Sequence, residues 1–402
     1  MNFTSPIHKN SYPQYSGYQE WSRGKQPFFH HNPHLRDRLT ELLSYADVQI
    51  GGSQPWDMQV HNPCLYNRVF ADGSLGLGEA YMDGWWDSRA LDEFFFRVLR
   101  AGLAEKVANW KDGYEAFKAK VFNYQNLARA FIVGQHHYDI GNDLYTRMLD
   151  KRMVYSCAYW RNAGDLDKAQ EAKLDIVCRK LQLQPGMRVL DVGCGWGGMA
   201  RYAANHYDVE VVGITVSEEQ ARYAKRICRG LPVTIELRDY RKVDGTFDRV
   251  LSLGMFEHVG YKNYRIFMQN IRRFLRENGL ALLHTIGNNH TTTTTDKWIN
   301  RYIFPNSMLP SAKQISAAIE GLFVIEDWHN FGADYDTTLM HWYRNFENHW
   351  QELRGEKYDE RFYRMWKYYL LACAGSFRAR QNQLWQLVLS PMGCVGGYCS
   401  PR

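Results

Sequence analysis

The sequence predicts an α/β fold: a doubly wound sheet over residues 137–402, behind a smaller, mainly helical N-terminal domain. Three observations carry this. From about residue 137, short β-branched, apolar runs alternate with stretches of helical spacing, as in a parallel sheet flanked by helices. A glycine cluster stands directly between one such run and the helix that follows it. Before residue 137 the strand signal is missing, and leucines and aromatics keep helical spacing instead.

Residues 1–33 are polar and sprinkled with aromatics, without sustained periodicity, and read as a flexible extension. The N-terminal domain is expected over 34–123. Leu35, Leu39, Leu42 and Leu43 place a helix at its start, and Gly51-Gly52-Ser53 and Gly73-Ser74-Leu75-Gly76-Leu77-Gly78-Glu79 read as turns. A helix from Leu91 carries Phe94, Phe95, Val98 and Leu99 on one face. Residues 97–129 hold seven Lys or Arg against three acidic residues, either a solvated helix face or a surface for anionic head groups. A linker over 124–136 leads to the second domain.

There, Arg188–Val192 is a buried-strand run followed at once by Gly193-Cys194-Gly195-Trp196-Gly197-Gly198, and Met199, Tyr202 and Ala203 begin a helix. Glycine in a strand-to-helix turn allows positive φ and close approach of a ligand. Written out from Asp191, the loop is D-x-G-x-G-x-G, the motif with which the Rossmann-like class I methyltransferases cradle S-adenosylmethionine. Dinucleotide binding needs a different glycine spacing and an acidic residue closing the next strand. That strand, Val209–Thr215, ends in threonine instead. Ser217 and Gln220 form a capping-box pattern, and Thr215 and Gln220 sit where a ribose would lie. Further strands are expected at 233–237, 247–253, 280–286 and 323–327, making a parallel sheet. A helix through Tyr264, Phe267, Ile271 and Phe274 should end at Gly279. Asp239 and Tyr240 follow the third strand, in place for an adenine edge.

Polar residues gather at three strand ends: Phe256-Glu257-His258, His284-Thr285-Ile286 and Asn330 to Tyr335. Singly, Glu257 reads equally as a helix cap, His284 as a core histidine and Tyr335 as the start of a helix. In an open α/β sheet, however, these ends converge on one crevice. Tyr155-Ser156-Cys157-Ala158-Tyr159-Trp160 precedes the sheet and can reach over the cofactor.

GSLGLGEAYMDGWW, HYDIGNDLY, YSCAYW, LDVGCGWGG, GITVSEEQ, GMFEHVG, LLHTIG, IFPN, DWHNFGADYDTTLM and CAGSFRAR together resemble the cyclopropane fatty acid synthase family, relatives of the mycolic acid cyclopropane synthases. The likeness runs from about residue 35 to 390 and spans both domains; the tail SPMGCVGGYCSPR lies outside it. It implies methylene transfer from S-adenosylmethionine to a cis double bond of a membrane phospholipid acyl chain. It implies that Cys157, Glu257, His284, Ile286 and Tyr335 surround a bicarbonate, Cys157 and Ile286 through backbone groups. Tyr155, Ser156, Asp191, Gly193, Gly195, Gly197, Thr215, Gln220, Asp239 and Tyr240 would hold the cofactor. Cys373 matches a cysteine often assigned as active in the family, although the chemistry needs no thiol nucleophile. A cytoplasmic homodimer lying peripherally on the inner membrane is the implied setting.

Composition agrees without deciding. A net charge of +6 suits an anionic surface, and no nucleic-acid partner is expected. No apolar stretch is long enough to span a bilayer. Eight irregularly spaced cysteines read as free thiols, with no metal site. The 13 Trp, 26 Tyr and 20 Phe fit either an aromatic core or a cation-stabilising pocket. Methylation that leaves a branch, methylation of a small soluble molecule, and a dead lipid-binding module are the rival readings.

Overall fold

The first strand run, Arg188–Val192, becomes an interior strand of a seven-stranded sheet in the computed structural model, which describes residues 33–103 and 140–402. The extension expected over 1–33 (apart from Pro33, which opens the first helix), the 124–136 linker and most of the basic 97–129 stretch lie outside the described residues.

The N-terminal region is helical: α1 (Pro33–Ser44), α2 (Leu65–Asp72), α3 (Ser74–Met82) and α4 (Leu91–Arg100), with a two-residue pairing of β1 (Gln59–Val60) and β2 (Trp86–Asp87). The turn expected over 73–79 is thus corrected to a helix. Its glycines serve close packing, not bending. A Cβ on Gly76 would come 2.2 Å from the Arg68 carbonyl oxygen, and one on Gly78 would come 2.3 Å from Cδ1 of Trp298. Each glycine costs about 1 kcal/mol of helix propensity, offset here by contacts that no larger residue permits.

The second region contributes α5 (Asn142–Met148), α6 (Leu166–Lys180), β3 (Arg188–Val192), α7 (Gly198–Tyr207), β4 (Glu210–Thr215), α8 (Glu218–Ile227), β5 (Val233–Leu237) and β6 (Phe247–Leu253). Then come α9 (Tyr264–Phe274), β7 (Leu275–Asn288), α10 (Lys297–Tyr302), α11 (Ala312–Ile319), β8 (Val324–Asn330), α12 (Ala333–Asn348), α13 (Trp350–Leu353), α14 (Glu360–Arg378) and β9 (Asn382–Ser390). The strand order is β5-β4-β3-β6-β7-β9-β8. The five strands β3 to β7 pair in parallel, but β9 runs antiparallel to both of its neighbours, β7 and β8, so the sheet is mixed. Gly279 lies inside β7, because α9 stops at Phe274 and the chain turns directly into the strand.

One hydrophobic core runs through both regions, joining Trp86, Phe94 and Phe95 to Trp298, Trp342 and Trp366. The apolar face of α4 therefore has a partner: it packs on α14, where a Cβ on Gly375 would lie 2.5 Å from the Asp92 carbonyl oxygen. Arg378, at the end of α14, clamps the contact. It pairs with Asp336 at 2.9 and 3.0 Å, with Asp92 at 2.9 Å and with Glu93 at 3.3 Å.

Candidate active site

The order of the parallel strands reverses between β3 and β6, and in doubly wound sheets ligands bind beyond the strand ends at such a switch. A cavity of about 180 Å³ opens there. Gly193, Gly195 and Gly197 adopt φ of +88°, +54° and +85°, a region open to glycine at no steric cost. A Cβ on Gly193 would be 2.9 Å from Cβ of Met255, so this glycine lets the loop close against the β6 end; one on Gly195 would meet only open space. Tyr155, Ser156, Asp191, Gly193, Gly195, Thr215, Gln220, Asp239 and Tyr240 all line the cavity. Gly197 does not: it caps α7 and packs on Ala224, 2.9 Å from where its Cβ would be.

The wall is built by local hydrogen bonding. Gln220 does not complete the capping box; its Oε1 accepts from Thr215 Oγ1 at 2.9 Å, while Ser217 Oγ alone caps α8. Asp239 accepts from the Arg241 backbone N–H at 2.9 Å. Trp196 donates its indole N–H to Asn142 Oδ1 at 2.8 Å, which ties the IGNDLY motif to the glycine loop. Pro305 and Asn306 of the IFPN motif close another side.

Several groups at or behind the wall escape a reading of motifs. Lys173 of α6 is fully buried and donates to Ser156 Oγ at 2.8 Å, and Gln170, also on α6, donates to the Ser156 carbonyl at 2.8 Å. Burial pushes the Lys173 ammonium down to about 8, against the pull of Asp150 and Asp191. Burial likewise pushes Asp191 up to about 7, opposed by Lys173, and leaves its Oδ2 without a partner. The signal in the sequence is that Gln170 and Lys173 fall on the apolar stripe of α6, beside Leu166, Ala169, Leu174 and Val177. His258 also lines the cavity; burial pushes its imidazole down to about 4, and its Nδ1 has no partner.

Glu257, His284, Ile286, Cys157, Tyr335 and Cys373 lie outside this cavity wall. Glu257 sits in a 3-10 turn after β6, and its Oε1 accepts the Ile286 backbone N–H at 2.7 Å. That N–H is therefore spent on the carboxyl group, not left for an anion. Glu257 Oε2 is buried without a partner, and burial raises the carboxyl to about 7. Two residues before Ile286, and so on the same face of β7, His284 is buried. Its Nδ1 receives the Gln386 amide at 3.2 Å and its Nε2 has no partner. Burial, with Lys173 and Lys180, holds this imidazole neutral, so the hydrogen bond at Nδ1 puts the ring proton on Nε2. Tyr335 and Cys157 are buried, and burial keeps both protonated. Cys373 is raised to about 12, by burial first and by Asp296 second, and remains a thiol. The aromatic surround includes Phe377, 4.5 Å from the Tyr335 ring, and Phe331, 5.9 Å from His284.

Residues 125–387 match the mycolic acid cyclopropane synthetase family. The chain is 57% identical over 351 residues to the cyclopropane-fatty-acyl-phospholipid synthase of Escherichia coli K12, covering 87% of this chain and 92% of that one. It is 32% identical over 386 residues to a tuberculostearic acid methyltransferase of Mycobacterium tuberculosis, with 88% and 89% coverage. Among solved structures, a mycolic acid cyclopropane synthase complexed with SAH and CTAB superposes with a TM-score of 0.60 at 32% identity, covering 64% of this chain and 97% of that one. A coclaurine N-methyltransferase, at 20% identity and a TM-score of 0.64, shares the fold over 78% of this chain and 98% of its own.

Proposed function

Because the chain belongs to the mycolic acid cyclopropane synthetase family, we propose that its two adjoining polar sites divide one reaction between them: the glycine-lined cavity holds S-adenosylmethionine, and the buried cluster around Glu257 and His284 holds bicarbonate. The overall reaction is S-adenosylmethionine-dependent cyclopropanation of an unsaturated acyl chain in a phospholipid.

An alkene is a weak nucleophile, so the sulfonium methyl must be held in line with it, a gain of proximity. Gly193 and Gly195 admit the methionine moiety, and Thr215, Gln220, Asp239 and Tyr240 face the nucleoside. Methyl transfer breaks the S–CH3 bond, forms a C–C bond, and leaves a carbocation on the chain. Loss of a proton from the new methyl group then lets its C–H electrons close the ring. Bicarbonate, when bound, supplies the base for that proton. The chain's own part is to hold the anion and keep water away. Two buried, unpartnered atoms fit the task and carry the reading: Glu257 Oε2 and His284 Nε2. With its carboxyl raised to about 7, Glu257 is a hydrogen-bond donor for part of the time at neutral pH, and neutral His284 offers Nε2–H. The Tyr335 and Phe331 rings offer π faces to the cation, each worth about 0.5–2 kcal/mol.

The test uses labelled S-adenosylmethionine and vesicles of unsaturated phospholipid in carbon-dioxide-depleted buffer, with the acyl chains analysed by mass. Turnover should fall on depletion and return saturably with added bicarbonate. Undiminished turnover would remove the anion from the reading. Peripheral binding to the vesicle surface is part of the same proposal, supported by the basic 97–129 stretch. No helix among the described residues is long and apolar enough to cross a membrane.

A further inference from the structure

We propose that Lys173 is a positioning residue for the methyl donor: from behind the cavity wall it fixes the Ser156 hydroxyl so that its O–H points at the α-carboxylate of the bound methionine moiety. The proposal rests on the reading of the glycine-lined cavity as the S-adenosylmethionine site.

Ser156 lines the cavity; Lys173 does not. The ammonium donates to Ser156 Oγ at 2.8 Å. A hydroxyl has one proton to give, and an ammonium has none to receive. Ser156 must therefore accept from Lys173, and its own proton is directed elsewhere, into the space it borders. The segment has little freedom to turn away. Gln170 of the same helix donates to the carbonyls of Ser156 at 2.8 Å and Val154 at 3.3 Å. Asp150 accepts the Val154 N–H at 2.8 Å and the Arg152 N–H at 3.0 Å.

Charge argues the same way. The charges of Asp191 and Asp150 both act on Lys173, and Asp191 lines the cavity with its Oδ2 buried and without a partner. A wall with these acids alone repels a carboxylate. With the ammonium behind Ser156, it offers a cation-backed donor beside a carboxylate acceptor, the two halves of a receptor for an amino-acid zwitterion. A buried lysine that served packing alone would be replaced at lower cost by methionine or leucine.

The experiment measures calorimetric binding of S-adenosylhomocysteine and of its decarboxylated analogue to the full chain and to Lys173→Met. Wild type should prefer the carboxylated ligand. A hydrogen bond to a charged group sets the scale, about tenfold to a hundredfold. In Lys173→Met that preference should collapse, and in Lys173→Arg it should partly return. Equal weakening of both ligands would reduce Lys173 to a structural support and overturn the proposal. Wild type that binds neither ligand would instead overturn the reading of the cavity, and this inference with it. If Lys173→Met does not fold, Ser156→Ala carries the same comparison: lost preference supports the proposal and unchanged preference refutes it.

Discussion

Replacing Glu257 by Gln should make the fold more stable and the enzyme far slower. The carboxyl is buried, accepts one N–H, and has one oxygen with no partner. Burial raises it from an ordinary 4.5 to about 7. In the unfolded chain it ionises near 4.5, so below that pH both states are protonated and no stability depends on the charge. As pH rises through the window from 4.5 to about 7, the unfolded chain gives up its proton first, and the native state loses stability. By pH 8 the loss is complete at about 3 kcal/mol, since each pKa unit corresponds to about 1.4 kcal/mol. Glutamine keeps the oxygen that accepts from Ile286 and never ionises. Urea unfolding of both proteins in carbon-dioxide-depleted buffer should give equal pH-induced changes below pH 4.5. By pH 8 the variant should have gained about 3 kcal/mol on wild type. Turnover of the variant should meanwhile drop about 10²–10⁴-fold, the range for an acid–base constellation, and respond less to added bicarbonate. Two outcomes would refute the reasoning. Parallel stability curves would mean that the carboxyl is not held against its charge, and full turnover with wild-type bicarbonate dependence would mean that it does not orient the base.

Gly195→Asp should fold at a cost of about 1–2 kcal/mol for its left-handed backbone, because its side chain meets open space. That space is the cavity, so calorimetric S-adenosylmethionine binding should disappear; unchanged affinity would misplace the cofactor. Gly78→Val forces a branched side chain into Trp298, 2.3 Å from its first carbon, and should cost about 1–3 kcal/mol in urea unfolding. Vesicle binding should weaken steeply toward 1 M salt, where screening shortens to about 3 Å; salt-independent binding would leave the basic 97–129 stretch as an ordinary solvated surface.

What the sequence made legible was local in the chain. The strand at 188–192, the glycine loop and the threonine closing the next strand declare themselves by adjacent residues, and the cavity forms where they point. What stayed hidden depends on partners distant in sequence. Gly76 and Gly78 look like a turn until the Arg68 carbonyl and Trp298 are seen where their side chains would be. Lys173 looks like a solvated charge until Ser156 and Asp191 are seen around it. The strand at 382–390 carries Gln383 and Gln386 within an apolar run, and its place between β7 and β8 is a matter of topology alone. The Ile286 N–H is held by Glu257 through a tertiary hydrogen bond that no local pattern encodes.

The position of β9 also sets an order of assembly. Strands β7 and β8 are not neighbours in the sheet: β7 pairs with β6 on one edge and β9 on the other, and β8 pairs with β9, which follows both in the chain. During synthesis the ribosome therefore extrudes β7 and β8 before the strand that joins them exists, and each waits with an unsatisfied edge. The same late strand brings Gln386, whose amide occupies His284 Nδ1, and Trp385, whose ring covers Gly287. The histidine thus acquires its Nδ1 partner only as β9 inserts. A nascent chain can already have its glycine loop in place while the surround of His284 is unfinished, so on the proposed reading competence for chemistry arrives in one step, with the last strand of the sheet.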